Sequence, residues 1–335
     1  MKTSQSKNVA LVLSSGGPRG FAYIGAIESL LAHGYHITSV AGTSMGSLIG
    51  GIYAAGKLDE FKQWLYSLDA WEVFSLMDIS VSRNHIVKGD RIIEAMMQIV
   101  PNIAIEDLAI PYRAVAADLY TGEEVVFSTG SLFTAIRSSI SIPSLFRPVR
   151  YGITTLIDGA VANPLPLDRV VRTPGDLLVA FDVNHVNAAE LRAIQEREHQ
   201  ARATDLAFQE SKRTEMRQAF DELRNESEIS RVGRLRHIGS RGINILRDVM
   251  SYEKSFNEDT ALDVGESYYD LLDRSFNLMN HRITQLMLRL HHPDILVQMP
   301  FDSYGQISDY TKAEEISQIG RRLMDEALEG EMHND

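Results

Sequence analysis

The sequence predicts an α/β fold: a mostly parallel central sheet flanked by helices, with a charged, mostly helical insertion. Three observations lead there. A short apolar run, a Gly-rich turn and a segment of helical spacing follow one another twice within the first 56 residues, the pattern of strands laid side by side in parallel with helices packed over them. Strand patterns then continue to about residue 185 without a break in composition. After Asn187 the strand pattern stops and a stretch dense in charges of both signs begins.

Val9–Leu13 is a short apolar run that reads as a strand. Ser14–Pro18 ends it, and Phe21–Leu31 carries Ile24, Ile27, Leu30 and Leu31 at helical spacing. The second unit places a strand at Ile37–Ala41, a turn at Gly42–Gly46 and a small-residue helix from Ser47 to Ala55, closed by Gly56. Helices are expected at 58–68, 90–99 and 132–139. Pro111–Ala117 and Glu123–Phe127 read as a hairpin around Asp118–Gly122, and 154–157 and 177–183 as further strands. Tyr268–Leu290 shows an apolar helical stripe; 294–298 is expected as a last strand and 312–328 as a last helix.

Composition narrows the chemistry. A length of 335 residues fits two domains, or one large α/β domain with an insertion. The balance of 33 basic against 45 acidic residues, net −12, disfavours nucleic acid as a partner. There is no cysteine, which excludes disulfides, thiolate metal sites and a Cys nucleophile. No run of about 18 apolar residues is present, and a cytoplasmic location is expected, with peripheral contact at the inner face of the membrane.

Gly42-Thr43-Ser44-Met45-Gly46 fits Gly-x-Ser-x-Gly between a predicted strand and a predicted helix. A serine on so tight a turn needs small neighbours, and the following helix directs its N-terminal dipole at developing negative charge. The competing reading is an ordinary helix start capped by Thr43 or Ser44. Serine needs a base to become a nucleophile, yet none of the ten histidines sits in a recognisable motif. Asp158, where the strand Leu156–Ile157 runs into Gly159-Ala160, is placed as a buried base with a raised pKa, against the alternative of an Asx-turn aspartate. The turn Ser15-Gly16-Gly17-Pro18-Arg19-Gly20 is incomplete as a nucleotide-phosphate loop. It suits an oxyanion hole, with the amides of Gly16 and Gly17 joined by that of Met45; Pro18 has no N–H to offer.

Together these pieces resemble the patatin-like phospholipases: a Gly-rich turn ending in Arg19-Gly20, the Gly42–Gly46 elbow and the Asp158-Gly159-Ala160 motif. Ala114–Gly122, Ala135–Pro143 with Phe146–Pro148, and Asn163–Pro166 are similar to bacterial members. The resemblance covers residues 7–187 and 266–330 and implies a patatin-like three-layer fold. It implies a serine lipid acyl hydrolase of phospholipase A or lysophospholipase type, with Ser44 as nucleophile and Asp158 as base in a dyad without histidine. Gly16 and Gly17 become oxyanion donors, Arg19 fixes the loop, and no metal or organic cofactor is needed. Ser15 and Ala160 depart from the glycines common at those places.

Two other readings stay open: an α/β-hydrolase with a Ser–Asp–His triad using His185, and a catalytically idle interaction protein whose working part is the insertion at 188–265. Within that insertion Arg231, Arg234, Arg236, Arg241 and Arg247 occur with no acid between residues 229 and 247. The bland account is a solvated helical hairpin; the sharper one is docking on anionic lipid headgroups.

Overall fold

The computed structural model describes residues 7–76, 89–143, 145–187, 268–301, 303–304 and 308–334, with a few single positions between 189 and 214. The chain divides into two units, 1–186 with 275–335, and 187–274. Most of the second unit, including Arg231, Arg234, Arg236, Arg241 and Arg247, lies outside the described residues.

The first unit is built on one eight-stranded sheet. β1 (Asn8–Leu13) pairs in parallel with β2 (His36–Thr43) on one side and β7 (Leu177–His185) on the other. β2 continues in parallel to β3 (Tyr112–Asp118), and β7 to β8 (Ile295–Pro300). The rest is antiparallel: β4 (Glu124–Phe127) and β6 (Thr154–Asp158) both pair β3, and β5 (Val149–Tyr151) pairs β6. The fold is thus α/β with a mixed, mostly parallel sheet.

Helices cover both faces. Leu11, Leu13, Val179 and Phe181 share one apolar core with α1 (Ala22–Ala32), α2 (Met45–Ala54) and α8 (Ala313–Asn334). Val12, Leu178 and Ala180, which alternate with them along the strands, form a second core with Leu165, Leu167 and, from α7 (Tyr268–Leu290), Met287 and Leu288. That is why β1 reads as an unbroken apolar run: each side of it is covered, and each fully buried aliphatic side chain contributes about 1.5–3 kcal/mol. The remaining helices are α3 (Leu58–Ser67), α4 (Ala70–Leu76), α5 (Asp90–Met97) and α6 (Leu132–Ser139).

The registers around β3 position the site. Ala114 and Val115 pair with both β2 and β4, while Ala116 and Ala117 pair with both β4 and β6. A strand has two edges, so β2 and β6 share the edge of β3 that β4 does not use. They run toward each other along it: β2 ends at Thr43 opposite Val115, and β6 ends at Asp158 opposite Ala116.

Several details depart from the sequence reading. The helix expected from Ser47 begins at Met45, directly after the serine. β2 and β7 run on to Thr43 and His185, past the last apolar residue of each. The short elements α4 and β5 carry too few residues to show a period.

Candidate active site

Ser44 is the single non-glycine residue of positive φ among the described residues, at 54°. Such a backbone costs about 1–3 kcal/mol and persists only where its surroundings enforce it. Here they do. A Cβ added to Gly42 would lie 2.3 Å from the Gly46 backbone, and one added to Gly46 would lie 2.3 Å from the Leu13 carbonyl oxygen, so both turn glycines are required by close approach of backbone to backbone. The Ser44 N–H donates to Ser139 Oγ at 2.8 Å, and that hydroxyl donates to the Val115 carbonyl at 2.5 Å.

Ser44 stands at the N-cap of α2, but its side chain makes no capping bond. Its Oγ donates instead to Asp158 Oδ2 at 2.5 Å, with Ser44 4 % and Asp158 1 % exposed. The other carboxylate oxygen accepts the Ala160 N–H at 2.8 Å, and the Asp158 N–H donates to the Ser141 carbonyl at 2.9 Å. Burial pushes the Asp158 carboxyl up to about 7, opposed by the bonds from Ser44 and Ala160. The capping and Asx-turn accounts are therefore incomplete: Asp158 does cap a short turn, and its free oxygen holds the serine.

The Gly-rich turn packs over the start of α2. A Cβ on Gly20 would meet the Met45 side chain at 2.3 Å, and one on Gly16 would meet Val183 Cγ2 at 2.1 Å. Gly17 has a φ of 54°. Among the described residues the Gly16 and Gly17 N–H groups have no protein acceptor, and Met45 opens α2, where amides point away from the helix. Arg19 is 1 % exposed beneath this turn; its Nε donates to the Val183 carbonyl at 3.0 Å and its guanidinium also reaches Asn184, Asn277 and the Tyr304 carbonyl.

Ser44, Met45 and Gly17 open onto a cleft of about 950 Å³, part of it solvent. Its walls are apolar: Leu48 of α2, Phe61, Trp64 and Leu65 of α3, Val73 and Leu76 of α4, Ile92 and Met96 of α5, and Ile140, Ile142, Leu145 and Phe146 after α6. No charged side chain is among the described residues lining it. Tyr310, which lies 152 positions beyond Asp158, completes the wall, edge-on to Phe21 with ring centroids 5.9 Å apart. Burial pushes its phenol up to about 12, the Asp158 charge adding to the shift and Arg19 opposing it.

The structure thus brings Ser44, Asp158, Gly16, Gly17, Met45, Arg19, Gly20, Gly42 and Gly46 into one region. His185 is elsewhere engaged, its ring centroid 6.1 Å from that of His281. Sequence reasoning missed Tyr310, Ser139 and Asn184. Ser139 lies within the Ala135–Pro143 segment but was given no role there, and Asn184 and Tyr310 belong to no motif; Asn184 in particular offers only a polar residue at the end of an apolar strand. Among the described residues no group of three or more His, Asp or Glu is placed to hold a metal ion, and no helix is long and apolar enough to cross a membrane.

Comparison with known proteins gives a consistent match. Residues 11–171 match the patatin-like phospholipase family. Over 192 residues the chain is 43 % identical to an NTE family protein of Mycobacterium tuberculosis, covering 57 % of this chain and 53 % of that protein. It is 27 % identical over 190 residues to lysophospholipase NTE1 of Debaryomyces hansenii, covering 54 % of this chain and 12 % of that protein. VipD from Legionella pneumophila aligns over 97 % of this chain and 68 % of its own, at 14 % identity and a TM-score of 0.41. The chain therefore spans about half the length of the first relative and much less of the second.

Proposed function

Because the chain carries a patatin-like phospholipase domain at residues 11–171, we propose that it hydrolyses lipid acyl esters, of phospholipid or lysophospholipid, through a Ser44–Asp158 dyad. The observation that carries this reading is the 2.5 Å hydrogen bond from Ser44 Oγ to Asp158 Oδ2 at an apolar cleft. A carboxyl raised to about 7 is substantially ionised at neutral pH and basic enough to take a proton.

In the first half-reaction Ser44 Oγ attacks the ester carbonyl carbon while its proton passes to Asp158. The tetrahedral oxyanion is received by the N–H groups of Gly16, Gly17 and Met45, at the N-terminus of α2. Collapse breaks the bond to the alcohol, which leaves with the proton from Asp158. In the second half-reaction Asp158 takes a proton from water, the hydroxide attacks the acyl-serine, and the fatty acid departs as Ser44 regains its proton. The acyl chain occupies the apolar cleft, whose uncharged walls suit a hydrocarbon and exclude the headgroup.

The test is Ser44→Ala measured with lysophospholipid, phospholipid and a chromogenic fatty-acyl ester. Turnover should fall at least about 10³-fold with the fold unchanged by circular dichroism. A fluorophosphonate should label the wild-type chain at Ser44 alone. Retained turnover in the alanine variant overturns the reading.

A further inference from the structure

We propose that Asn184 is a positioning residue for this reaction: its single carboxamide ties together the two ends of the Gly16–Gly17 turn and so holds the amides in oxyanion-receiving geometry. The proposal rests on the reading of that turn as the oxyanion hole.

Asn184 lies near the end of β7 and is 1 % exposed. Its Nδ2 donates to the Ser15 carbonyl at 2.5 Å and approaches Ser15 Oγ at 3.3 Å. Its Oδ1 accepts from Arg19 Nη2 at 2.9 Å. Ser15 and Arg19 are the residues that flank Gly16-Gly17-Pro18, so one side chain grips the turn from both ends.

The chemistry of the grip explains why it needs an amide. One end must donate to a carbonyl and the other must accept from a guanidinium, which only a carboxamide does at this size. An aspartate keeps the acceptor and loses the donor; a leucine loses both at nearly the same volume. The clamp itself is anchored. The Asn184 N–H donates to Asp182 Oδ1 at 2.9 Å, and Arg19 is further fixed by the Val183 carbonyl. On the other side of the turn the Ser15 N–H donates to the Pro164 carbonyl at 2.8 Å.

What this fixes is the position of two N–H groups that have no protein acceptor among the described residues. Glycines offer no side chain to hold them, and Pro18 gives no N–H to bond. Without a clamp the turn would lose its aim, and a misplacement of about 1 Å costs up to about 10²-fold in rate. The loss falls on the transition state, because the ester carbonyl needs the donors far less than the oxyanion does.

The experiment uses Asn184→Asp and Asn184→Leu in the full chain, with a soluble short-chain ester. Active sites are counted by the end-point of fluorophosphonate labelling, so that a poorly folded fraction is normalised out. kcat per active site should fall about tenfold in Asn184→Asp and about 100-fold in Asn184→Leu, with KM within about twofold. Affinity for a trifluoromethyl ketone, which forms a tetrahedral oxyanion on serine, should fall in step with kcat/KM, while affinity for the fatty-acid product stays unchanged.

Wild-type kcat per active site in both variants overturns the proposal. Equal losses of product affinity and trifluoromethyl-ketone affinity also overturn it, because they mark a merely structural residue. If Asn184→Leu does not fold, Asn184→Asp decides alone. Ser44→Ala is run beside them: turnover retained there sinks the dyad itself, whereas turnover lost there with Asn184 variants unimpaired sinks only the clamp.

Discussion

Ser44 and Asp158 meet because they terminate two strands that approach head-on along one edge of β3, Ser44 following the residue opposite Val115 and Asp158 lying opposite Ala116. The 2.5 Å bond between them spans 114 positions of sequence. Neither strand pairs with the other; their spacing is set by the strand both lean on.

A pH dependence follows from the buried carboxylate. In the proposed reaction Asp158 must be ionised, and its pKa is raised to about 7. kcat/KM for a soluble ester should therefore climb about tenfold per pH unit below 7 and level off above it. A profile flat from pH 5 to 8 would mean that another group takes the proton.

Removing the charge should trade activity for stability. Asp158 has a folded pKa above its ordinary value of 3.8. The folded state therefore holds its proton to higher pH, and the associated stability is full below about 4 and is lost as pH rises through about 7. Asp158→Asn lacks that decline. Its turnover should fall at least about 10³-fold, while its melting temperature relative to wild type should rise between pH 5 and pH 8.5. A constant difference across that range counts against a raised pKa for Asp158 in the folded chain.

The glycine contact at the elbow gives a structural prediction. In Gly46→Ala the new methyl meets the Leu13 and Ser14 carbonyls at 2.3 and 2.6 Å, backbone atoms that carry the Gly-rich turn beyond them. The variant should lose about 1–3 kcal/mol of stability in urea unfolding and most of its turnover. An unchanged midpoint with full activity would show that the two segments can move apart freely.

Chain-length preference should respond to the cleft wall. Met96 lies on α5, away from the helix that follows Ser44, and lines the cleft at 1 % exposure. Met96→Trp should lower kcat/KM about tenfold for a long-chain acyl ester and leave a butyryl ester within about twofold, in line with the 1–3 kcal/mol cost of overfilling an apolar space. Equal losses for both esters would place the acyl chain elsewhere.

The pairing of Ser44 with Asp158 was legible because its physical demands leave marks in sequence. A tight strand-to-helix turn needs small residues at Gly42 and Gly46, and Asp158 sits where an apolar strand meets a glycine. The alternation of strand and helix gave the parallel part of the sheet for the same reason: buried faces impose a period. What escaped has no such period. β5 is three residues long, α4 is seven, and Asn184 and Tyr310 act through positions that only the folded chain brings near the turn. The start of α2 was placed two residues late because the whole Gly42–Gly46 motif reads as turn, whereas the helix takes up Met45 and Gly46; the Ser47 hydroxyl turns back to the Ser44 carbonyl at 2.7 Å.

The head-on meeting of β2 and β6 also governs when activity can arise. A nascent chain that has made the serine elbow has no Asp158 until residues beyond 150 emerge, and no β6 on β3 to hold one. Its Gly-rich turn then waits for β7, which brings Val183 and Asn184 under it. The proposed ester cleavage would thus belong to the closed sheet alone, and a ribosome-bound or partly unfolded chain would lack it.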